Sequence, residues 1–99
     1  MTVKVGINGF GRIGRLALRA AWDSPGFEIT HINEIAGDAK SAAHLLRFDS
    51  VHGTWDREVS VNQANNQIIV DGKAINFSST KTIEQGAWAA VDIVVECTG

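Results

Sequence analysis

The 99-residue sequence contains no tyrosine and one each of cysteine, proline and methionine. A single cysteine, Cys97, excludes an intrachain disulfide framework and suits a reducing compartment, so a cytoplasmic location is expected. Metal chemistry lacks ligands as well, because His31, His44 and His52 stand at no paired spacing with one another or with Cys97. No apolar run approaches the roughly 18–20 residues that span a bilayer, and the first residues read as a strand instead of a signal peptide. Nor is there an excess of positive charge. Nine basic against eleven acidic residues leave a net charge of −2 and a pI near 5.8, no electrostatic footprint for nucleic acid or an anionic membrane. Trp22, Trp55 and Trp88 lack the basic surroundings of a base-stacking platform and are expected in core or interface packing. The remaining composition, 44% hydrophobic, is that of a globular chain of one small domain, too short for two.

Glycine is abundant, and its placement carries the information. Thr2-Val3-Lys4-Val5-Gly6-Ile7 alternates as a strand does, with Val3, Val5 and Ile7 on one face. Gly9-Phe10-Gly11-Arg12-Ile13-Gly14 follows directly. Three glycines at this spacing arise by chance in about 3 of 100 random chains this long, at a glycine frequency of ~7%, so the glycines alone decide little. Their setting decides more. Ile13, Leu16, Ala17, Ala20 and Ala21 make an apolar stripe at helical spacing, with Arg12, Arg15 and Arg19 reading mostly as a solvated face. Ser24-Pro25-Gly26 stops that helix, and Phe27–Asn33 reads as a second strand whose apolar members are Phe27, Ile29 and, less regularly, Ile32. Glu34 follows at its end. A strand, a glycine-lined bend, a helix and a carboxylate about twenty residues on make a dinucleotide site: Gly9 allows the turn, Gly11 lets backbone approach a pyrophosphate, and Gly14 lets helix and strand pack closely. Helix-start amides receive the phosphates. The carboxylate accepts from the ribose hydroxyls and repels a 2′-phosphate, which points to NAD over NADP.

Downstream, Gly37-Asp38 starts a second helix expected over Asp38–Phe48, with Ala39, Ala42, Ala43 and Leu46 inward. Arg57–Val61, Gln67–Val70 and Lys73–Phe77 read as short strands in an antiparallel excursion, the last two joined by the hairpin signal Asp71-Gly72. Val91–Val95 reads as a buried parallel strand with Glu96-Cys97-Thr98-Gly99 at its carboxyl end, where doubly wound sheets bind ligands. The expected fold is α/β, a doubly wound parallel sheet of Rossmann type with an antiparallel excursion. About three parallel strands are counted, so the sheet is expected to be incomplete.

The segment Val5-Gly6-Ile7-Asn8-Gly9-Phe10-Gly11-Arg12-Ile13-Gly14-Arg15 resembles the opening of the phosphorylating glyceraldehyde-3-phosphate dehydrogenases. Phe48-Asp49-Ser50-Val51-His52-Gly53 and Val94-Val95-Glu96-Cys97-Thr98-Gly99 match the same family in the expected order. The resemblance covers essentially the whole chain and implies the amino-terminal part of the NAD-binding domain over residues 1–99, with the catalytic domain absent. It implies NAD as cofactor, contacted by Asn8, Gly9, Phe10, Gly11, Arg12 and Ile13 around the pyrophosphate. Asn33 and Glu34 would meet the adenosine end, Lys81 the adenine, and Cys97, Thr98 and Gly99 the middle of the cofactor. It also implies an aldehyde phosphate and inorganic phosphate as substrates, and a homotetramer when complete. The family's catalytic Cys and His do not fall in this span, so Cys97 is expected as a small residue beside the cofactor and no catalytic residue is assigned. Two departures stand out: Glu34 occupies a position where the family commonly has Asp, and the segment at Trp88 is shorter. Asn33-Glu34 with Ala43-His44-Leu45-Leu46 resembles the erythrose-4-phosphate branch, which stays open, as does a non-catalytic nucleotide-binding module.

Overall fold

The structure, a computed structural model, describes residues 2–49, 53–79 and 91–98. Strand β1 (Val3–Asn8) runs through the bend into helix α1 (Arg12–Ala21) and returns as β2 (Phe27–Asn33). Helix α2 (Ala39–Arg47) follows, capped by Asp38, whose Oδ1 accepts from the Ser41 N–H at 2.8 Å. The two-residue strands β3 (Phe48–Asp49) and β4 (Gly53–Thr54) pair with each other. Then come β5 (Val59–Asn62), β6 (Gln67–Val70), β7 (Lys73–Ser78) and β8 (Ile93–Glu96).

Six strands form one sheet in the order β5-β6-β7-β2-β1-β8. The antiparallel excursion is β5 against β6 and β6 against β7, closed by Asp71-Gly72 with positive φ at both residues (50° and 83°). That is the backbone a two-residue type I′ turn requires. Strand β7 pairs in parallel with β2, so the parallel block is β7-β2-β1-β8, four strands where the sequence pattern suggested about three. A single strand serves both pairings: one edge closes the hairpin, and the other carries the sheet onward.

One β-bulge accounts for the irregular second strand. Val5 pairs with Ile29 but Gly6 pairs with His31, which leaves Thr30 as the extra residue. The bulge returns Ile32 to the face of Ile29, Val5 and Ile7, where strict alternation would have turned it away. On that face Val5, Ile7, Ile29, Ile32, Ile68, Val70, Ile75 and Phe77 form the core with Leu18 and with Ala39, Ala42, Ala43 and Leu46 of α2.

Helix α1 is rotated from the expected stripe. Gly14 and Leu18 are its buried residues, whereas Ile13 is 65% exposed and Ala20 is exposed. The tight approach at Gly14 sets this angle. A Cβ there would lie 2.3 Å from the Gly9 carbonyl oxygen and 3.4 Å from an Ile7 methyl. Arg19 departs from a solvated face as well. Its guanidinium donates to the Leu46, Arg47 and Gly53 carbonyls at 2.7–3.2 Å and lies 5.8 Å from the Trp55 ring centroid. Trp55 in turn meets Trp22 edge-to-face, so both described tryptophans serve packing.

Candidate functional site

The bend between β1 and α1 depends on glycine at two points. Gly9 has φ +96°, and a Cβ on it would come within 2.7 Å of the Cys97–Thr98 backbone. Gly11 differs: nothing lies within 4 Å of the Cβ position, so the space before it is open. It caps α1 without a side chain, leaving the first-turn amides unclaimed by a cap. In front of the bend is a cavity of about 420 Å³ lined by Asn8, Gly9, Gly11, Asn33, Glu34, Ile35, Ala36, Cys97 and Thr98. The carboxyl ends of β1, β2 and β8 and the start of α1 thus converge on one hollow. An open approach to backbone, a helix start and a nearby carboxylate fit a dinucleotide.

Glu34 reaches back to the bend. Its Oε1 accepts from the Phe10 N–H at 2.6 Å and its Oε2 from the Ala36 N–H at 2.8 Å, while its own N–H donates to the Ser78 carbonyl. The carboxylate therefore does two things: it clamps the glycine turn to the end of β2 and presents its remaining lone pairs to the cavity. The added methylene of Glu relative to Asp supplies the reach for this clamp.

Asn8 and Asn33 of the cavity wall belong to a longer row of polar side chains. Strand register aligns Ser78, Asn33, Asn8 and Glu96 across β7, β2, β1 and β8. Asn8 and Asn33 are buried, at 9% and 4% exposure, and neighbours in the row are hydrogen-bonded. The Glu96 carboxylate, held below its usual pKa by hydrogen bonds from the Thr98 hydroxyl and the Asn8 amide, closes the row. Ser78 meets His31, whose pKa burial lowers. The Cys97 thiol is raised by burial and by the Glu96 charge, and its backbone N–H donates to the Asn8 carbonyl. Such a thiol is a poor nucleophile, in keeping with a lining role.

Of the residues expected at the cofactor, the structure gathers Asn8, Gly9, Gly11, Asn33, Glu34, Cys97 and Thr98 on this cavity. Phe10 is buried and lines an adjoining hollow with Glu34 and Ser41; Arg12 and Ile13 are exposed at the helix start and line neither. Lys81 and Gly99 lie outside the described residues, as do His52 and Trp88. Sequence reasoning missed Ser78, and placed Glu96 at the ligand-binding end of its strand without giving it a role. A polar residue ending each parallel strand was the available signal. Among the described residues no group of three or more His, Cys, Asp or Glu is placed to hold a metal ion.

The family model described as "Glyceraldehyde 3-phosphate dehydrogenase, NAD binding domain" matches residues 3–99. The chain is 54% identical over its whole length to glyceraldehyde-3-phosphate dehydrogenase 3 of Nostoc sp., 52% to glyceraldehyde-3-phosphate dehydrogenase of Geobacillus stearothermophilus and 50% to glyceraldehyde-3-phosphate dehydrogenase 1 of Bacillus subtilis. It spans 29% of the length of each of these relatives. By sequence match and by fold, this chain belongs to the NAD-binding domain family of the glyceraldehyde-3-phosphate dehydrogenases.

Proposed function

We propose that this chain supplies the NAD-binding part of an enzyme that oxidises glyceraldehyde 3-phosphate, with phosphorylation, to 1,3-bisphosphoglycerate. The observation that carries the reading is the hollow before Gly11, open at the backbone and closed on its far side by Glu34 bonded to the Phe10 amide. NAD, when bound there, supplies the hydride acceptor. The chain's own residues bind and orient. Helix-start amides and the bend meet the pyrophosphate, Glu34 accepts from the adenine ribose hydroxyls, and Cys97 and Thr98 border the path toward the nicotinamide. The thiol and base of the family's chemistry belong to residues beyond this span, and the assembly proposed is a cytoplasmic homotetramer.

The test replaces the aligned span of the Geobacillus stearothermophilus relative with this chain and follows NADH formation from glyceraldehyde 3-phosphate and phosphate. The expected outcome is NAD-dependent, phosphate-dependent turnover. A folded chimera without turnover or NAD binding would overturn the proposal, and faster turnover of erythrose 4-phosphate would move it to that branch.

A further inference from the structure

Asn8-Gly9 is the single asparagine–glycine pair in the sequence, and it stands where β1 enters the bend. In an open chain such a pair is chemically short-lived. The Gly9 nitrogen, unshielded by a side chain of its own residue, attacks the Asn8 side-chain carbon Cγ. The N–Cγ bond forms as the Gly9 amide gives its proton to base, the Cγ–Nδ2 bond breaks, and ammonia leaves. Water then opens the cyclic imide at either carbonyl, giving aspartate or the isoaspartyl linkage. Asparagine and water thus become an acid and ammonia, with no other reactant. A bulkier, slower neighbour cannot replace the glycine, because Gly9 has φ +96° and a Cβ there would lie 2.7 Å from the Cys97–Thr98 backbone.

In the fold the polar atoms of this reaction are all held. The Gly9 N–H donates to the Asn33 carbonyl at 2.7 Å, and the Asn8 carbonyl accepts from the Cys97 N–H at 2.7 Å. The Asn8 amide nitrogen donates to the Glu96 oxygens at 3.0 and 3.3 Å, and its Oδ1 accepts from Asn33 Nδ2 at 3.0 Å. Asn8 is buried. Bringing Cγ onto the Gly9 nitrogen requires turning about the Asn8 Cα–C and Cα–Cβ bonds. That turn breaks the bonds to β2 and to the end of β8 together.

We propose that Asn8 is a deamidation site gated by the fold: closed while β1 is paired on both sides, and open to conversion whenever the bend detaches. The product cannot rebuild the bend. A carboxylate at position 8 has no N–H to offer Glu96 and sets two like charges where a hydrogen bond stood. The isoaspartyl form adds a main-chain carbon at a bend that lacks room for a Cβ. Because Asn8 and Gly9 line the cavity, each conversion removes one cofactor site for good. That consequence rests on the NAD-binding reading above; the gate stands on the bonds that Asn8 and Gly9 make.

The experiment incubates the full chain at one mildly alkaline pH, in buffer and in denaturing urea. Brief digestion with trypsin then releases Val5–Arg12, in which Asn8 is the only side-chain amide, and a zero-time sample sets the background. Mass spectrometry follows the change from amide to acid. Conversion at Asn8 is at least about tenfold slower in buffer than in urea, because only the open fraction reacts. Asn8→Gln, read in urea where folding plays no part, loses the rapid conversion, since the longer side chain closes the imide ring slowly. Equal rates in buffer and urea, or an unchanged urea rate in Asn8→Gln, overturn the proposal. NAD at about ten times its Kd slows conversion in buffer roughly tenfold and leaves the urea rate as it was. Bound NAD that gives no slowing, or a converted chain that binds NAD as the parent does, overturns the link to the cofactor site. If the difference between buffer and urea holds and the parent chain does not bind NAD, the cofactor reading fails and the gate stands.

Discussion

Replacing Gly14 and Gly11 with alanine, one methyl each and three residues apart, separates the two duties of the glycine bend. At Gly14 the new methyl would sit 2.3 Å from the Gly9 carbonyl oxygen, about 1 Å short of van der Waals contact. The opposing atom is backbone of a residue at φ +96°, itself wedged against Cys97 and Thr98, so relief requires α1 to lift from β1. Overpacking of this kind costs about 1–3 kcal/mol, and at 4–8 °C per kcal/mol for a domain this size Tm falls by roughly 5–20 °C. At Gly11 the new methyl meets nothing within 4 Å, and φ −78° suits alanine. Losing glycine at the N-cap is offset by a stiffer unfolded chain, so stability stays within about 1 kcal/mol. The methyl instead occupies the space assigned to pyrophosphate, and NAD affinity drops about ten- to a hundredfold through lost charge-assisted bonds. Thermal denaturation and NAD titration of both variants read the two effects separately. A Gly14→Ala chain with unchanged Tm, or a Gly11→Ala chain with unchanged NAD affinity, would refute this division of labour.

Three further outcomes are expected. Glu34→Gln removes the charge and one of the two acceptors for the Phe10 and Ala36 amides; amide exchange at Phe10 accelerates and the preference for NAD over NADP narrows, measured by exchange spectra and paired titrations, whereas an unchanged preference would remove Glu34 from cofactor selection. Arg19→Met withdraws charged donors from the carbonyls ending α2 and lowers stability by about 2 kcal/mol; Arg19→Lys, lacking the planar fork that reaches Leu46 Oin two bonds, recovers little of it in urea denaturation. Because burial and the Glu96 charge raise the Cys97 thiol, its alkylation near neutral pH is slower than that of an unstructured cysteine and catches up only as alkali forms the thiolate. Cys97→Ser leaves NAD affinity near the parent value, and a large loss would give the sulfur a contact role.

The bend, both helices and the second hairpin were legible in the sequence because each is encoded locally, whereas Asn8, Asn33, Cys97 and Thr98 of the cavity came from the family resemblance. Glycine spacing, a 3.6-residue period and an Asp-Gly turn act over a few neighbours, and the Asp38 cap falls where Gly37-Asp38 announces it. The angle of α1 was not legible, because hydropathy treats Gly14 as neutral while its backbone packs too close to the Gly9 carbonyl for any side chain. Arg19 looked solvated for a related reason: its carbonyl partners lie 27 to 34 residues away in sequence.

The amino-acid order alone determined that a strand, a glycine bend, a helix and a carboxylate would assemble, since backbone sterics and local periodicity leave little choice. Only the tertiary structure decided which carboxylate faces which amide. The bulge at Thr30 aligns Asn33 with Asn8, and parallel pairing brings Glu96 and Ser78 to that row. Register between strands as far as 88 residues apart is chosen by the packing of whole faces, and no local pattern carries it.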